Sequence, residues 1–222
     1  MTTILHIETA TKVCSVALSV DGELSHIEEF KDEGYSHGEQ LTLLIQKVLD
    51  QQGIKAADLS AVSVSAGPGS YTGLRIGVST AKGLCYAVNI PLISVDTLQS
   101  MAEVARIVYP QSNLCPMIDA RRMEVFSLIT NFDEEILKPV SADILDENSY
   151  SEFEPFVCFG DGAQKMEELW AGRAIDFDLD LEPSAKGQIH AAYQKFLKQE
   201  FEDVAYFEPA YLKEFYQAPA KK

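Results

Sequence analysis

A glycine-rich stretch between a strand and a helix constrains the fold of this chain more than any other segment. It reads AGPGSYTGLRIG over residues 66–77. The five residues before it alternate in the way typical of a strand, and the periodic segment after it, which continues to Val88, predicts a helix. Pro68 stiffens the bend between them, so the stretch predicts a strand-loop-helix corner.

Two interpretations of this corner stay open. Gly67 and Gly69 permit the positive φ of a tight bend, and Ser70 or Thr72 can cap the first free N–H groups of the helix. The corner is therefore either a structural turn or a cradle of backbone donors for an anion. It has neither the Walker pattern nor the spacing of a dinucleotide fingerprint. We predict at most a weak nucleotide or anion site, with these candidate residues: Glu8, Gly67, Gly69, Ser70, Thr72 and Asp161.

The predicted helix carries two stripes of small residues at four-residue spacing. One stripe consists of Gly73, Gly77 and Ala81, and the other of Ser79, Gly83 and Ala87. Glycine within a helix costs up to about 1 kcal/mol against alanine, so repeated glycines indicate that another backbone approaches closely. The neighbour is either the sheet beneath or a second helix, and the sequence does not decide between them.

Charge limits the classes of partner. The 222 residues carry a formal net charge of −16. Because affinity for nucleic acid depends largely on cations that neutralise phosphates, we expect no binding of RNA by this chain alone. No apolar run has the length of a membrane span, and no basic leader precedes the first predicted strand, so we expect a cytoplasmic protein.

The cysteines and histidines do not predict a metal site. Four cysteines lie in separate apolar segments without a CxxC pair, which predicts buried free thiols. The four histidines show neither HxxxH nor HExxH spacing, so we predict no metal ligands and consider a metallopeptidase improbable.

The order of predicted elements repeats once along the chain. Three strands at 4–8, 13–20 and 23–30 form a meander, and a helix, the strand before the corner, the glycine-rich helix, another strand and a further helix follow them. A reduced version of this βββαβαβα order begins at residue 114. It includes short helices at 163–171 and from Ser184 to about residue 199. We predict an α/β fold of the duplicated actin-like, ribonuclease H-like type, with lobes at 1–105 and 106–222.

The first predicted helix has a second surface. A capping box of Ser36 and Glu39 starts it, and its core face comprises Leu41, Leu44, Ile45, Val48 and Leu49. Leu43, Gln40 and Lys47 fall off this face. The helix can therefore contact a partner as well as the core.

Four segments carry a specific resemblance to one family. They are AGPGSYTGLRIG at 66–77, ILHIETA at 4–10, MIDARRMEVF at 117–126 and EPAYLKE at 208–214. The whole chain resembles the TsaB family, also called YeaZ, of the actin-like superfamily. The first and third segments are the most specific of the four.

The resemblance implies a non-catalytic subunit. Such a subunit pairs with its paralogue TsaD and the ATPase TsaE to form N6-threonylcarbamoyladenosine beside the anticodon of tRNAs that read codons beginning with A. ATP and a divalent metal are used by the partner subunits, and this chain requires no cofactor. The resemblance also implies a homodimer when the chain is alone, contact with tRNA through the complex only, and no membrane. The expected interface comprises His37, Gln40, Leu41, Leu43, Leu44, Lys47, Leu74, Gly77, Val78 and Ala81.

Departures from the active enzymes of the superfamily support this assignment. Those enzymes resemble one another in using an aspartate in the first hairpin to hold metal and nucleotide. This chain has Glu8 there, which can be a ligand or can cap the turn. The resemblance implies that the paralogue binds metal through a two-histidine motif on a helix. The matching helix of this chain has only His37. We therefore predict no catalytic residue. A stand-alone ATP-dependent kinase or ATPase of the same fold remains the alternative.

The segment Asp119-Ala120-Arg121-Arg122 also has two interpretations. A carboxylate beside two guanidinium groups can orient a phosphate. We favour a charged hairpin turn, because arginines at such turns are commonly solvated or paired across the hairpin. Asp161, between two glycines and just before a predicted helix, presents the same choice.

Overall fold

The computed structural model describes residues 1–31 and 37–212 and contains two five-stranded sheets. The first sheet has the strand order β3-β2-β1-β4-β5, in which β1 to β3 form an antiparallel meander and β4 and β5 run parallel to β1. The strands are β1 (Thr3–Glu8), β2 (Val13–Val20), β3 (Glu23–Lys31), β4 (Ala61–Ser65) and β5 (Leu92–Val95). Asp21 and Gly22, both with positive φ, form the predicted hairpin turn between β2 and β3.

The second sheet repeats this topology. Its order is β10-β9-β6-β7-β8, again an antiparallel meander with two parallel strands added beside its first strand. The strands are β6 (Asn113–Asp119), β7 (Glu124–Thr130), β8 (Ile136–Ile144), β9 (Phe156–Phe159) and β10 (Ile175–Asp178). The predicted duplicated α/β fold is confirmed. Pro139 lies in β8, an edge strand of this sheet, where its missing N–H breaks no ladder with a further strand.

Three helices follow the meander of the first half, and one follows that of the second. They are α1 (His37–Gln52), α2 (Tyr71–Val88), α3 (Thr97–Val108) and α4 (Ile189–Lys198). Ser70 and Asp96 cap α2 and α3 by accepting hydrogen bonds from the N–H groups of Gly73 and Gln99. The predicted capping box of α1 includes Ser36, which lies outside the described residues. Within the described part of the chain, no helix combines the length and hydropathy needed to cross a membrane.

The helix predicted at 163–171 is wrong. The structure has a short 3-10 turn at Ala163–Lys165, and further turns lead to Gly172, whose φ is +82°. Met166 and Trp170 carry the apolar spacing that predicts a helix, and both are buried. The helix predicted from Ser184 to about residue 199 is closer to the structure, since Ser184 caps a 3-10 turn at Ala185–Gln188 that leads into α4.

Two helices pack against the sheet of the opposite half. Leu98, Met101 and Ala105 of α3 join the core of the second sheet, whereas Ala192 of α4 joins Ile4 and Ile93 on the first. A boundary at residue 105 therefore follows the order of the chain and not its packing. The other side of the first sheet is covered by α1 and α2.

Candidate functional site: an interlobe cleft and two neighbouring helices

The glycine-rich corner packs directly on the turn after β1. The N–H of Ser70 donates to the carbonyl oxygen of Ala10 at 2.6 Å. A Cβ on Gly69 would lie 2.5 Å from the same oxygen, and one on Gly73 would overlap the carbonyl oxygen of Thr9. The glycines are therefore required for close contact between two backbones, which favours the structural interpretation of the corner.

The stripe of Gly73, Gly77 and Ala81 faces the protein interior. A side chain on Gly77 would overlap Thr9 Oγ1 and approach Val64, and Ala81 is fully buried. The neighbour that approaches this stripe closely is therefore the first sheet with the turn after β1, and not a second helix.

Most residues of the expected partner interface are buried within this chain, so they offer little surface to a partner and their place in an interface stays a prediction. His37 is buried, and its Nε2 is 2.6 Å from the carbonyl oxygen of Thr11. The other members that the fold buries are Leu41, Leu44, Leu74, Gly77, Val78 and Ala81. The amphipathic spacing of α1 and α2 placed them on the sheet side, because their side chains fill the space above β1 and β4. Leu43 and Lys47 are exposed and Gln40 is partly exposed.

The second stripe of α2 faces outward. Ser79, Gly83 and Ala87 are exposed, and a Cβ on Gly83 would meet no atom of residues 1–31 and 37–212 within 4 Å. On the same helix Tyr86 is 85% exposed, and on α1 Leu43 is 58% exposed. We call Leu43, Lys47, Ser79, Gly83 and Tyr86 the helical face. Its α2 residues are missing from the predicted interface, although the four-residue spacing could have identified them.

A cleft of about 860 Å³ lies between the lobes. Four of the candidate anion-site residues line it: Gly69, Ser70, Thr72 and Asp161. Glu8 and Gly67 are not among its lining residues. Lys31 of the first lobe forms an ion pair with Glu182 of the second, and both line the cleft, so this pair links its two walls.

Glu8 is turned into its own lobe. One carboxylate oxygen accepts a hydrogen bond of 2.7 Å from the N–H of Ala10, which is the turn-capping role left open by the sequence. The other oxygen is buried with no hydrogen-bond partner among the described residues. Desolvation raises the pKa of this carboxyl from its usual 4.5 to about 7, although several hydrogen bonds act in the opposite direction. The carboxyl is therefore neutral in an appreciable fraction of molecules at neutral pH.

The polar groups of the second hairpin bind one another. Asp161 accepts a hydrogen bond of 2.8 Å from the N–H of Asp119, and Asp119 forms an ion pair with Lys165 and accepts from the N–H of Arg121. Burial raises the pKa of Asp161. Gly160 and Gly162 make room for Met117 and Ile118 of β6, as the first corner does for Thr9 and Ala10. The charged hairpin turn is thus the interpretation that these contacts favour.

Histidines and cysteines do not gather into a metal site here. His6 bridges the hydroxyl groups of Ser63 and Ser19 at 2.7 Å each, and its burial lowers its pKa from 6.5 to about 3. The four cysteines are buried free thiols, as predicted. Residues 1–31 and 37–212 contain no group of three or more His, Cys, Asp or Glu side chains arranged to hold a metal ion.

Two lobes of one topology, joined by exchanged helices around a cleft, define a duplicated actin-like protein of the ribonuclease H-like class. Comparison with known proteins makes the assignment more specific. Residues 33–219 match the family described as TsaD, tRNA N6-adenosine threonylcarbamoyltransferase. The tRNA threonylcarbamoyladenosine biosynthesis protein TsaB of Escherichia coli (strain K12) is 32% identical over 95% of this chain and 94% of its own length. The chain belongs to the TsaB branch of this family.

Two further comparisons agree. The TsaB protein of Bacillus subtilis (strain 168) is 31% identical over 64% of this chain and 60% of its own length. The solved structure of YeaZ from Pseudomonas aeruginosa superposes with a TM-score of 0.83 at 23% identity, covering 96% of this chain and all of that one. At that identity the structural match supports the fold.

Proposed function

We propose that this chain takes part in forming N6-threonylcarbamoyladenosine in tRNA as a subunit that binds the paralogous transferase TsaD and catalyses no step itself. Its relatives are named for this biosynthesis, and its match to the TsaD family supports a common origin of the two subunits. Paralogues with the same fold can pair through equivalent surfaces.

One observation carries the non-catalytic role: the polar groups at the two corners are turned into this chain or bonded within it. Glu8 faces its own lobe and does not line the cleft, the N–H of Ser70 donates to the carbonyl oxygen of Ala10, and Asp161 accepts from the N–H of Asp119. A ligand at Ser70 or Asp161 would have to break these bonds, and each buried group left unpaired costs about 1–3 kcal/mol.

The helical face supports the binding role. Gly83 costs up to about 1 kcal/mol against alanine in the middle of a helix, and none of the residues that the structure describes packs against the position of its missing side chain. A second molecule whose backbone comes close would account for it, since an exposed stripe of small residues allows two helices to approach. Leu43 on α1 and Tyr86 on α2 supply exposed apolar area.

The remaining parts of the assembly are proposed on the same basis. TsaE joins the complex, a homodimer forms through the helical face when TsaD is absent, and ATP and a divalent metal act in the partner subunits. Because the net charge of −16 opposes RNA binding, tRNA meets this chain only within the complex. The complex works in the cytoplasm.

The binding role is tested by titrating purified TsaD of the same organism with the chain and two arginine variants. Gly83→Arg places a large cation on the helical face without an internal clash, and we expect at least about a tenfold loss of affinity. Ile107→Arg is the matched control, because Ile107 is exposed on α3, which packs on the other lobe. Equal affinities for both variants, or no binding by the wild-type chain, would contradict the proposal.

A further inference from the structure

The chain after α4 returns to the first lobe and runs along α2. Glu202 pairs with Leu92 at the edge of the first sheet through a backbone hydrogen bond of 2.9 Å. Beyond it, residues 203–212, which we call the strap, continue towards the cleft. Lys82 of α2 donates to the carbonyl oxygens of Ala205 and Phe207, at 3.1 and 3.0 Å. The strap is therefore attached to the helix that carries most of the helical face.

The far end of the strap closes on the glycine-rich corner. The N–H of Ala210 donates to the carbonyl oxygen of Ala66 at 2.7 Å. A Cβ on Gly67, whose φ is +103°, would lie 2.7 Å from the carbonyl oxygen of Ala210. Ala210, Tyr211 and Leu212 also line the cleft. Gly67 thus leaves room for the backbone of the strap, and the strap forms part of the cleft wall.

Tyr211 holds this end through α2. Its ring centroid is 4.8 Å from that of Tyr71, and its hydroxyl accepts a hydrogen bond of 3.2 Å from Arg75 Nε. The Arg75 guanidinium lies 4.0 Å from the Tyr71 ring centroid. Arg75 is exposed one turn before Ser79, and Lys82 adjoins Gly83. Both anchors therefore flank the helical face.

The strap buries little apolar surface. Val204 and Phe207 pack against the core of the first lobe, whereas Tyr206 is 84% exposed and Tyr211 and Leu212 are exposed. Segments with few buried apolar contacts open at low free-energy cost. The strap can therefore leave the corner while the rest of the lobe stays folded.

We propose that the strap is a latch that partner binding releases. In this account, which rests on the proposed function, a partner on the helical face engages Arg75 and Lys82, and the strap loses the anchors that hold it over Gly67. The mouth of the cleft opens as a result. Docking and cleft access become coupled, and linkage requires that a released strap strengthen docking by the same factor.

The test uses full-length chain carrying Tyr211→Ala, with Tyr206→Ala as a matched control in the same segment. In the free chain, hydrogen exchange should become about tenfold faster at the Ala210 amide in Tyr211→Ala and remain unchanged in Tyr206→Ala, whereas the Ser70 amide, which is bonded within the lobe, should exchange at the same rate in both. Unchanged exchange in both variants would overturn the latch.

Titration with purified TsaD gives the second readout. Tyr211→Ala should bind about three- to tenfold more tightly than wild type, because the cost of releasing the strap is already met. If wild type binds TsaD, and Tyr211→Ala binds it equally or more weakly, the latch is overturned and the proposed function stands. Absence of wild-type binding would overturn the proposed function, and the latch with it.

Discussion

Thr9 Oγ1 donates a hydrogen bond of 2.9 Å to the carbonyl oxygen of Gly73 and thereby fastens the first turn of α2 to the turn after β1. Gly77 lies one helical turn further on, and any side chain there would overlap the same Thr9 hydroxyl. The inner stripe of α2 is therefore part of the fold, whereas the outer stripe is exposed.

Substituting leucine for one glycine of each stripe should have opposite effects on stability. Gly77→Leu should lower the free energy of unfolding by about 1–3 kcal/mol or more, because the added side chain overpacks the contact with Thr9. Gly83→Leu should maintain that free energy or raise it by a few tenths to about 1 kcal/mol, because leucine is a better helix former in open space. Urea denaturation measures both variants. Equal losses would contradict the assignment of the stripes.

The buried Glu8 makes stability depend on pH. Its pKa is about 7 in the folded chain and close to 4.5 when unfolded. Protonated Glu8 therefore favours the fold fully below pH 4.5, and this contribution is lost as the pH rises towards 7. Glutamine does not ionise, so Glu8→Gln does not lose this contribution. The free energy of unfolding of the variant relative to wild type should therefore rise by about 3 kcal/mol from pH 4.5 to pH 8.

The comparison of variants isolates this effect from that of His6. The lowered pKa of His6 gives a contribution that is full above pH 6.5 and is lost as the pH falls towards 3, the opposite direction. It acts equally in wild type and Glu8→Gln, so it cancels in their difference. Denaturation curves of both proteins from pH 4.5 to pH 8 provide the measurement. A difference that does not change with pH would show that Glu8 is charged throughout.

The turn between β6 and β7 should accept better turn residues. Arg121 and Arg122 have φ values of 70° and 58°, which asparagine and glycine adopt at lower cost. Arg121→Asn with Arg122→Gly should raise the free energy of unfolding by about 1 kcal/mol. If the segment is only a charged turn, tRNA modification by the reconstituted complex should not change. A more stable variant that abolishes modification would show that the arginines have a functional role.

The isolated chain should release no phosphate from Mg-ATP. The N–H of Ser70 and the carboxylates of Asp119 and Asp161 are bonded within the chain, so the cleft offers a nucleotide few groups that are ready to bind it. Isothermal titration followed by a phosphate-release assay checks both binding and turnover. Sustained release that disappears in Asp161→Asn would favour the kinase or ATPase alternative.

The sequence predicted the two meanders, the parallel strands and the strand-loop-helix corner because alternation, capping residues and glycines act locally. It failed at residues 163–171, where the buried Met166 and Trp170 have helical spacing but the backbone makes successive turns. It also could not show that α3 and α4 cross to opposite sheets, since both helices carry an apolar face that fits either sheet.

The site was harder to predict for a related reason. Spacing identified both stripes of α2, but which one faces the sheet depends on Thr9 and Ala10, about sixty residues away in the chain. The strap contacts Ala66 and Gly67 through backbone groups of Ala210, which leave no pattern in the side chains. Leu43, in contrast, was placed correctly because helical periodicity alone puts it opposite the core of α1.

The central claim is that this chain is required as a docking subunit, and reconstitution of tRNA modification tests it most directly. TsaD and TsaE of the same organism are incubated with substrate tRNA, ATP and the threonylcarbamoyl donor, with wild-type chain, Gly83→Arg or no addition, and N6-threonylcarbamoyladenosine is quantified. We predict modification with wild type and little with Gly83→Arg or without the chain. Full modification in the absence of the chain would contradict the account.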